Sequence, residues 1–349
     1  MKNKATGIFM AILAAALFGI SSPVSKLLLA EIPSTLMASL LYLGAGIGML
    51  AINIARRLGK REQLEARMTK REMPYIIGMI ILDIAAPVCL MIGLSMTTSA
   101  NAALLNNFEI VATSLIALII FKEAIGKRMW IAISLITLSS IILSVEDFHN
   151  ISFSTGSVFI LLACLCWGFE NNCTRMLSLK DPLQIVIVKG FGSGAGALII
   201  ALALKQYSTN ILYLFMSLVL GFVAYGLSIY FYIIAQRELG AARTSAYYAV
   251  APFIGVLLSI IIFSQQFTIS FIIALVIMIT GAYFAGVEHH KHSHIHEETT
   301  HEHRHNHSDS HHNHTHDDKV ESEHSHIHTH EKVEHIHSHT PDMHHSHSH

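Results

Sequence analysis

For its size this chain is poor in charge. Asp, Glu, Lys and Arg together make up 13 % of it, against 52 % hydrophobic residues. The few charges sit mostly in short connectors, which excludes an ordinary globular enzyme with a solvated polar surface. Cysteine is scarce too. Cys89, Cys164, Cys166 and Cys173 all fall in apolar helical stretches, and Cys164 and Cys166, two apart, face different directions on a helix. Neither a disulfide framework nor a structural zinc site follows, and the four read as small membrane-core residues. Basic residues form no patch interleaved with aromatics, and the formal net charge is −1, so nucleic acid is not an expected partner. No nucleophile triad, phosphate loop or metallohydrolase motif stands in a fitting context, so no enzymatic activity is expected.

What the chain does have divides sharply near Glu288. Before that point run apolar, helix-length segments at about 6–29, 35–55, 74–95, 99–121, 129–145, 156–178, 184–204, 212–234, 241–263 and 268–287. A bilayer core takes roughly 20 apolar residues per helix, so these make an all-α membrane protein of ten transmembrane helices. Lys2 and Lys4 before Ala14-Ala15-Ala16 mimic a signal peptide. The apolar stretch runs on to about Leu29, longer than a signal core, and reads as an uncleaved first helix. One set of helix ends carries Lys2, Lys4, Arg56, Arg57, Lys60, Arg61, Arg67, Lys70, Arg71, Lys122, Lys127, Arg128, Arg175, Lys180, Arg237 and Arg243. The opposite loops carry Glu31, Glu146, Asp147 and His149, with Lys205 the clear cation. By the positive-inside rule both termini are expected in the cytoplasm of a plasma-membrane protein.

The chain also repeats itself. A shift of 149 residues lays Phe18-Gly19 on Trp167-Gly168, Lys26 on Arg175 and Pro33 on Pro182. Gly44 and Gly48 of the second span find a counterpart in Gly190, Gly192, Gly194 and Gly196 of the seventh, and a shift of about 141 lays Asn106-Asn107 on Tyr247-Tyr248. Each unit holds five helices, an odd number, so the second copy enters the membrane upside down. The expected organisation is a first repeat over 1–150, an inverted second repeat over 151–288 and a tail over 289–349. Inverted repeats around a midplane site are a design of secondary transporters; the glycines also suit plain close packing of helices.

Residues 7–287 resemble the drug/metabolite transporter superfamily, specifically its EamA-type ten-helix members. The resemblance rests on the Phe18-Gly19 and Trp167-Gly168 pairs, Phe121-Lys122-Glu123 closing the fourth span, the Gly-rich second and seventh spans and the five-plus-five layout. It implies a substrate cavity lined by helices 1–4 and 6–9, with 5 and 10 peripheral. It says little of the substrate, since the superfamily handles amino acids, nucleotide sugars, drugs and other metabolites. The second copy departs from the pattern, ending its ninth helix at Ser264-Gln265-Gln266 without an acidic residue.

Ionisable groups at bilayer depth cost several kcal/mol and usually face a cavity. The candidates for substrate binding or coupling are Asp83, Asn106, Asn107, Glu109, Glu170, Asn171, Tyr247 and Tyr248. Asn106 and Glu109, three apart, are expected to share a helix face. Burial disfavours the charged form of a carboxylate, which suits Asp83 or Glu109 to carry a proton. The plainer alternative is a structural ion pair with Lys26, Lys189 or Arg175, although Lys26 and Lys189 lie near helix ends and can snorkel. Pro23, Pro87 and Pro252 mark hinges or static kinks. Tyr225, Tyr230 and Tyr232 read as packing.

All histidines but His149 fall in the tail. Its His-x-His pattern lacks periodic apolar residues, so no regular structure is expected. His292, His294, His296, His301, His303, His305, His307, His324, His326, His328 and His330 are candidate metal ligands. Imidazole suits zinc, nickel, cobalt and copper ions, at most roughly six ions at four ligands each. No cofactor is required. The expected partners are lipid, a small-molecule substrate, transition-metal ions and a second copy in a homodimer. Three readings follow: a proton-coupled carrier of small organic metabolites with a metal-binding tail, a transition-metal exporter fed by that tail, and a metal sensor anchored by the bundle.

Overall fold

The computed structural model describes residues 2–58, 70–121, 125–147, 152–177, 180–239, 244, 247–264 and 267–286. In the tail it describes 290–296, 299–305, 324–330 and 333–339. Among these, nine helices are long and apolar enough to cross a bilayer. They are span one (Ala5–Leu28), two (Ser34–Leu58), three (Met73–Met96), four (Ser99–Ile120), five (Lys127–Ser144), six (Thr155–Thr174), seven (Pro182–Ala203), eight (Ile211–Ala235) and ten (Ile269–Gly286). The shorter Ala251–Phe263 is span nine. The sequence places its start near 241. Residues 241–243 and 245–246 lie outside the described residues; after the turn at Ala249-Val250 the helix runs from Ala251, with Pro252 in its first turn, the one place in a helix where a missing N–H costs nothing.

Local sequence sets several helix starts. Thr98 Oγ1 accepts from the Asn101 N–H at 3.2 Å, Asp181 Oδ1 from the Leu183 N–H at 2.9 Å, and Asn210 Oδ1 from the Tyr213 N–H at 3.4 Å. Each satisfies an N–H that the first turn leaves unpaired. Lys26 does the reverse job at a helix end. Its Nζ donates to the carbonyls of Leu94 (2.6 Å) and Ser95 (3.1 Å), where the end of span three presents unpaired acceptors and negative dipole. Lys26 therefore ties spans one and three together.

Helix contacts obey the repeat. Span three packs along span six as span eight packs along span one; span four meets six as nine meets one; two meets eight as seven meets three. The remaining major contacts, two with seven, four with nine and five with ten, map onto themselves. Glycine permits the central crossing. A Cβ at Gly190 would lie 2.4 Å from the Gly46 nitrogen, and Gly46 in turn sits against the backbone of Gly190 and Phe191. The repeat-related pair Gly19 and Gly168 does the same at equivalent contacts. A Cβ on Gly19 would meet the Ala251 carbonyl of span nine at 2.7 Å, and one on Gly168 the Ala112 side chain of span four at 2.7 Å. Lipid gives helices no hydrophobic reason to associate, so this backbone proximity supplies the packing energy.

Four spans depart from regular helix. Span one turns at Ile20, between Lys2–Gly19 and Ser21–Leu28. Span four breaks at Asn106-Asn107, between Ser99–Leu105 and Phe108–Phe121. Span eight widens to a π-helix over Gly221–Leu227. Span nine is preceded by a turn at Ala249-Val250. The breaks in spans four and nine fall at nearly corresponding points of the two repeats. In span four, the Glu109 N–H goes to the Asn106 carbonyl (3.1 Å) and the Ile110 N–H to that of Asn107 (3.0 Å), a tighter pattern than the α-helical one. The Leu105 carbonyl loses its usual partner, and the Cys164 thiol lies 3.6 Å from it. The expectation that Asn106 and Glu109 share a regular helix face is corrected by this break.

Outside the membrane helices, Val145–Asp147 and Ser152–Phe153 pair antiparallel between the two repeats. The described parts of the tail differ from the irregular chain expected. His290–His296 pairs antiparallel with Val333–His339, and Thr299–His305 with His324–His330. A strand repeats every two residues, as the His-x-His pattern does. The register sets His292 opposite His337, His294 opposite His335, His301 opposite His328, His303 opposite His326 and His305 opposite His324. His307 lies outside the described residues, as do Lys122 and Glu123.

Candidate functional site

Seven of the eight candidate residues in the membrane fall within or beside one polar belt at the junction of the repeats. Its densest part joins spans two, three, six and seven. Lys189 Nζ lies 3.0 Å from Asp83 Oδ2 and 2.9 Å from Glu170 Oε1. Asp83 is fully buried, Glu170 2 % and Lys189 6 % exposed. The Tyr42 hydroxyl donates to Asp83 Oδ1 at 2.8 Å, and the Thr174 hydroxyl donates to Glu170 Oε1. Asp83 Oδ2 takes no aligned hydrogen bond and is held by charge contact with the ammonium. A buried ion without a partner is far more costly than a paired one, so each member of this triad depends on the others. Asp83 comes from the first repeat, Glu170 and Lys189 from the second.

Reading Lys189 as a snorkelling residue is corrected here. It sits about two turns into span seven, buried, and its charge is met inside the bundle by Asp83 and Glu170. Of the other proposed partners, Lys26 is committed to span three, and the side chain of Arg175 lies outside the described residues.

Glu109 stands apart from the triad. It is half-buried, and its oxygen Oε1 accepts from Asn171 Nδ2 at 2.6 Å, while the same amide lies 3.2 Å from the Thr113 hydroxyl. Among the described residues it makes no ion pair. Just before it, Asn106 Oδ1 and Asn107 Nδ2 are buried without a hydrogen-bond partner, at 7 % and 2 % exposure. Polar atoms left unpaired inside a protein are rare and call for a partner such as water or ligand.

An aromatic chain closes the belt. Tyr42 lies 5.4 Å, ring to ring, from Tyr225; Tyr225 5.8 Å from Phe18; Phe18 5.8 Å from Tyr248; and Tyr248 4.9 Å from Tyr232. The Ser21 hydroxyl donates to Tyr225 at 3.4 Å, and the Ser228 hydroxyl is 3.4 Å from that of Tyr248 while donating to the Ala14 carbonyl. Tyr247 is the candidate left out, since it packs with Ala11 and Ala235. Asn101 donates to the Leu143 carbonyl of span five at 3.2 Å, and Asn172 donates to the Gly168 carbonyl of its own helix at 2.8 Å and to the Thr113 carbonyl of span four at 3.4 Å. Tyr230 accepts from Arg56 at 2.6 Å under a cation–π contact.

Sequence reasoning did not single out Phe18, Ser21, Tyr42 and Ser228 for the belt, and it assigned Tyr225 and Tyr232 to packing. Single polar residues on otherwise apolar helices were the available signal for Ser21, Tyr42 and Ser228; nothing in the sequence marks Phe18 beyond its place in the repeat motif. Spans one, two, three, four, six, seven and eight each contribute, Tyr248 lies just ahead of span nine, and none of the residues described in the belt comes from five or ten. The fold and this belt define a polytopic membrane protein with a charged site enclosed between two inverted five-helix units.

Comparison with known proteins agrees. The model of the EamA-like transporter family matches twice, over residues 5–145 and 154–287, and the chain belongs to that family. An uncharacterized transporter of Methanothermobacter thermautotrophicus is 25 % identical over 293 residues, 79 % of this chain and 85 % of the relative. The uncharacterized transporter YyaM of Bacillus subtilis is 24 % identical over 237 residues, 65 % of this chain and 76 % of that one. A solved crystal structure superposes with a TM-score of 0.59 at 14 % identity, covering 82 % of this chain and 96 % of its own, a likeness of fold.

Proposed function

We propose that this membrane transporter is a secondary carrier that moves a small organic solute by alternating access, coupled to protons, across the plasma membrane, with both termini cytoplasmic. The observation that carries this reading is the belt itself. Buried ionisable groups drawn from both repeats meet inside the bundle on spans three, four, six and seven, and the break of span four lies beside them. Such groups in a membrane are costly and are kept where solutes or protons pass. Broken helices beside a midplane site are typical of rocking carriers.

Glu109 and Asp83 are the proton carriers in this reading. Glu109 is partly buried with a neutral amide partner, so it can gain or lose a proton without breaking an ion pair. Asp83 can do so only as Lys189 shifts toward Glu170, which links its protonation to the contact between repeats. Full-length protein in liposomes, loaded with a mixed pool of labelled metabolites, tests the coupling. An inside-acid gradient should accelerate solute uptake, and Glu109→Gln should remove the acceleration. Uptake indifferent to the gradient in the unmodified protein would refute proton coupling.

The tail is proposed to bind zinc, nickel, cobalt or copper on the cytoplasmic side. Histidines lie opposite one another along both paired segments of its backbone, the density of imidazole that such ions favour.

A further inference from the structure

We propose that the tight metal sites of the tail are four-imidazole sets, each taking two histidines from either strand of its paired backbone. Binding a divalent transition ion and pairing segment 290–305 with segment 324–339 are then one event. This deepens the metal binding proposed above for the tail and rests on it.

The register comes first. His290–His296 lies antiparallel to Val333–His339, and Thr299–His305 to His324–His330. Strand residues two apart share a face, so the pairing makes two ladders. In one, His290, His292 and His294 stand opposite His339, His337 and His335. In the other, His301, His303 and His305 stand opposite His328, His326 and His324. Each ladder therefore has consecutive rungs of histidine against histidine.

Directly opposite Cα atoms of antiparallel strands are about 4.5–5.5 Å apart, and same-face neighbours along a strand about 6.6–6.8 Å. Two adjacent rungs thus bring four histidine backbones to the corners of one small rectangle. A four-coordinate ion such as zinc asks for that number of ligands. On a single extended strand the third same-face histidine lies about 13 Å from the first, too far to share an ion with it. The opposite strand supplies the missing two. Among the described residues no group of three or more potential ligands stands already gathered, so the ion collects histidines that the backbone delivers two by two.

The pairing in turn needs the ion. Half of the residues in the four strands are histidine, and the apolar ones are Ile295, Ile327, Val333 and Ile336. A two-stranded ribbon is marginal in water without more apolar area to bury. Where a ligand set exists only in the ordered chain, the free energy of metal binding becomes free energy of folding. Chelates made by His-x-His within one strand would work equally well on an unpaired chain, and the two halves of the tail would then bind independently. That difference is measurable.

The test titrates purified full-length protein with zinc against a chelating dye, and follows trypsin cleavage after Arg304, which stands opposite Ser325, by mass. One variant carries alanine for every histidine of His290–His296 and Thr299–His305, a second for every histidine of His324–His330 and Val333–His339, and a third for the remaining histidines of the tail. The unmodified protein and the third variant should bind zinc tightly, and zinc should slow the cut at Arg304. Each of the first two should lose tight binding, with affinity falling by more than roughly tenfold, the scale on which even outer-shell changes act at metal sites. The second should also lose zinc protection of Arg304, although His303 and His305 still flank the cut. Tight binding kept at unchanged affinity by either half alone, or Arg304 still protected in the second variant, would overturn the two-stranded site and leave metal binding by the tail standing. Loss of tight binding in the third variant would overturn the assignment to the ladders. Absence of saturable zinc binding in the unmodified protein would refute both levels.

Discussion

At the residue scale, Lys189 bears the greatest electrostatic load, because one ammonium neutralises parts of two buried carboxylates. Lys189→Met should leave Asp83 and Glu170 facing each other without compensation, at a cost of about 3–5 kcal/mol. Thermal unfolding in detergent at neutral pH should show the loss, and adding Asp83→Asn should recover much of it. A double-substitution cycle with no recovery would mean that Lys189 acts through packing. Lys189, Asp83 and Glu170 were each visible in the sequence as ionisable residues in apolar helices. Their pairing was not, since the three lie on three different spans and nothing in their spacing relates them.

At the element scale, the determinants are the glycines and the breaks. Gly190→Ala should force spans two and seven apart, because the new Cβ would meet the Gly46 backbone at 2.4 Å and backbone cannot rotate away. Overpacking of this kind costs about 1–3 kcal/mol, and the melting temperature should fall accordingly. Gly78→Ala is the control, since its Cβ would meet only the Cys173 sulfur at 3.3 Å and should leave the melt nearly unchanged. Apolar length made the helices legible in the sequence to within a few residues, the start of span nine aside. The interruption of span four was not, because neither proline nor glycine marks Asn106-Asn107. The Asn106 and Asn107 backbone gives up regular bonding at a place that only the packing of spans six and nine around it defines.

At the scale of the whole molecule, a bundle that carries solute is joined to a histidine-rich tail with different chemistry. Protons compete with metal for imidazole nitrogen, and an unperturbed imidazole titrates near pH 6.5. Zinc bound to the tail of the full-length protein at pH 7.5 should therefore be released as pH falls through about 6. A zinc-sensitive dye competition across that range measures it, and retention at pH 5 would count against histidine ligation. Replacing the histidines of 324–330 and 335–339 by alanine should lower zinc stoichiometry and leave bundle melting unchanged, since the paired tail segments contact each other.

The sequence by itself determined the class, the ten spans, the two related halves and the short roster of ionisable residues in the membrane. Those properties rest on apolar length, on internal similarity and on the cost of charge in lipid, all of them readable along one dimension. Only the tertiary structure decided which carboxylate is paired and which is open, that Lys26 fastens helices while Lys189 neutralises charge, and that Tyr248 belongs to the belt and Tyr247 does not. Those outcomes depend on which helices cross and at what separation. Crossings are set by glycine-to-backbone contacts between residues as far apart in the chain as Gly46 and Gly190, a relation that no local pattern encodes.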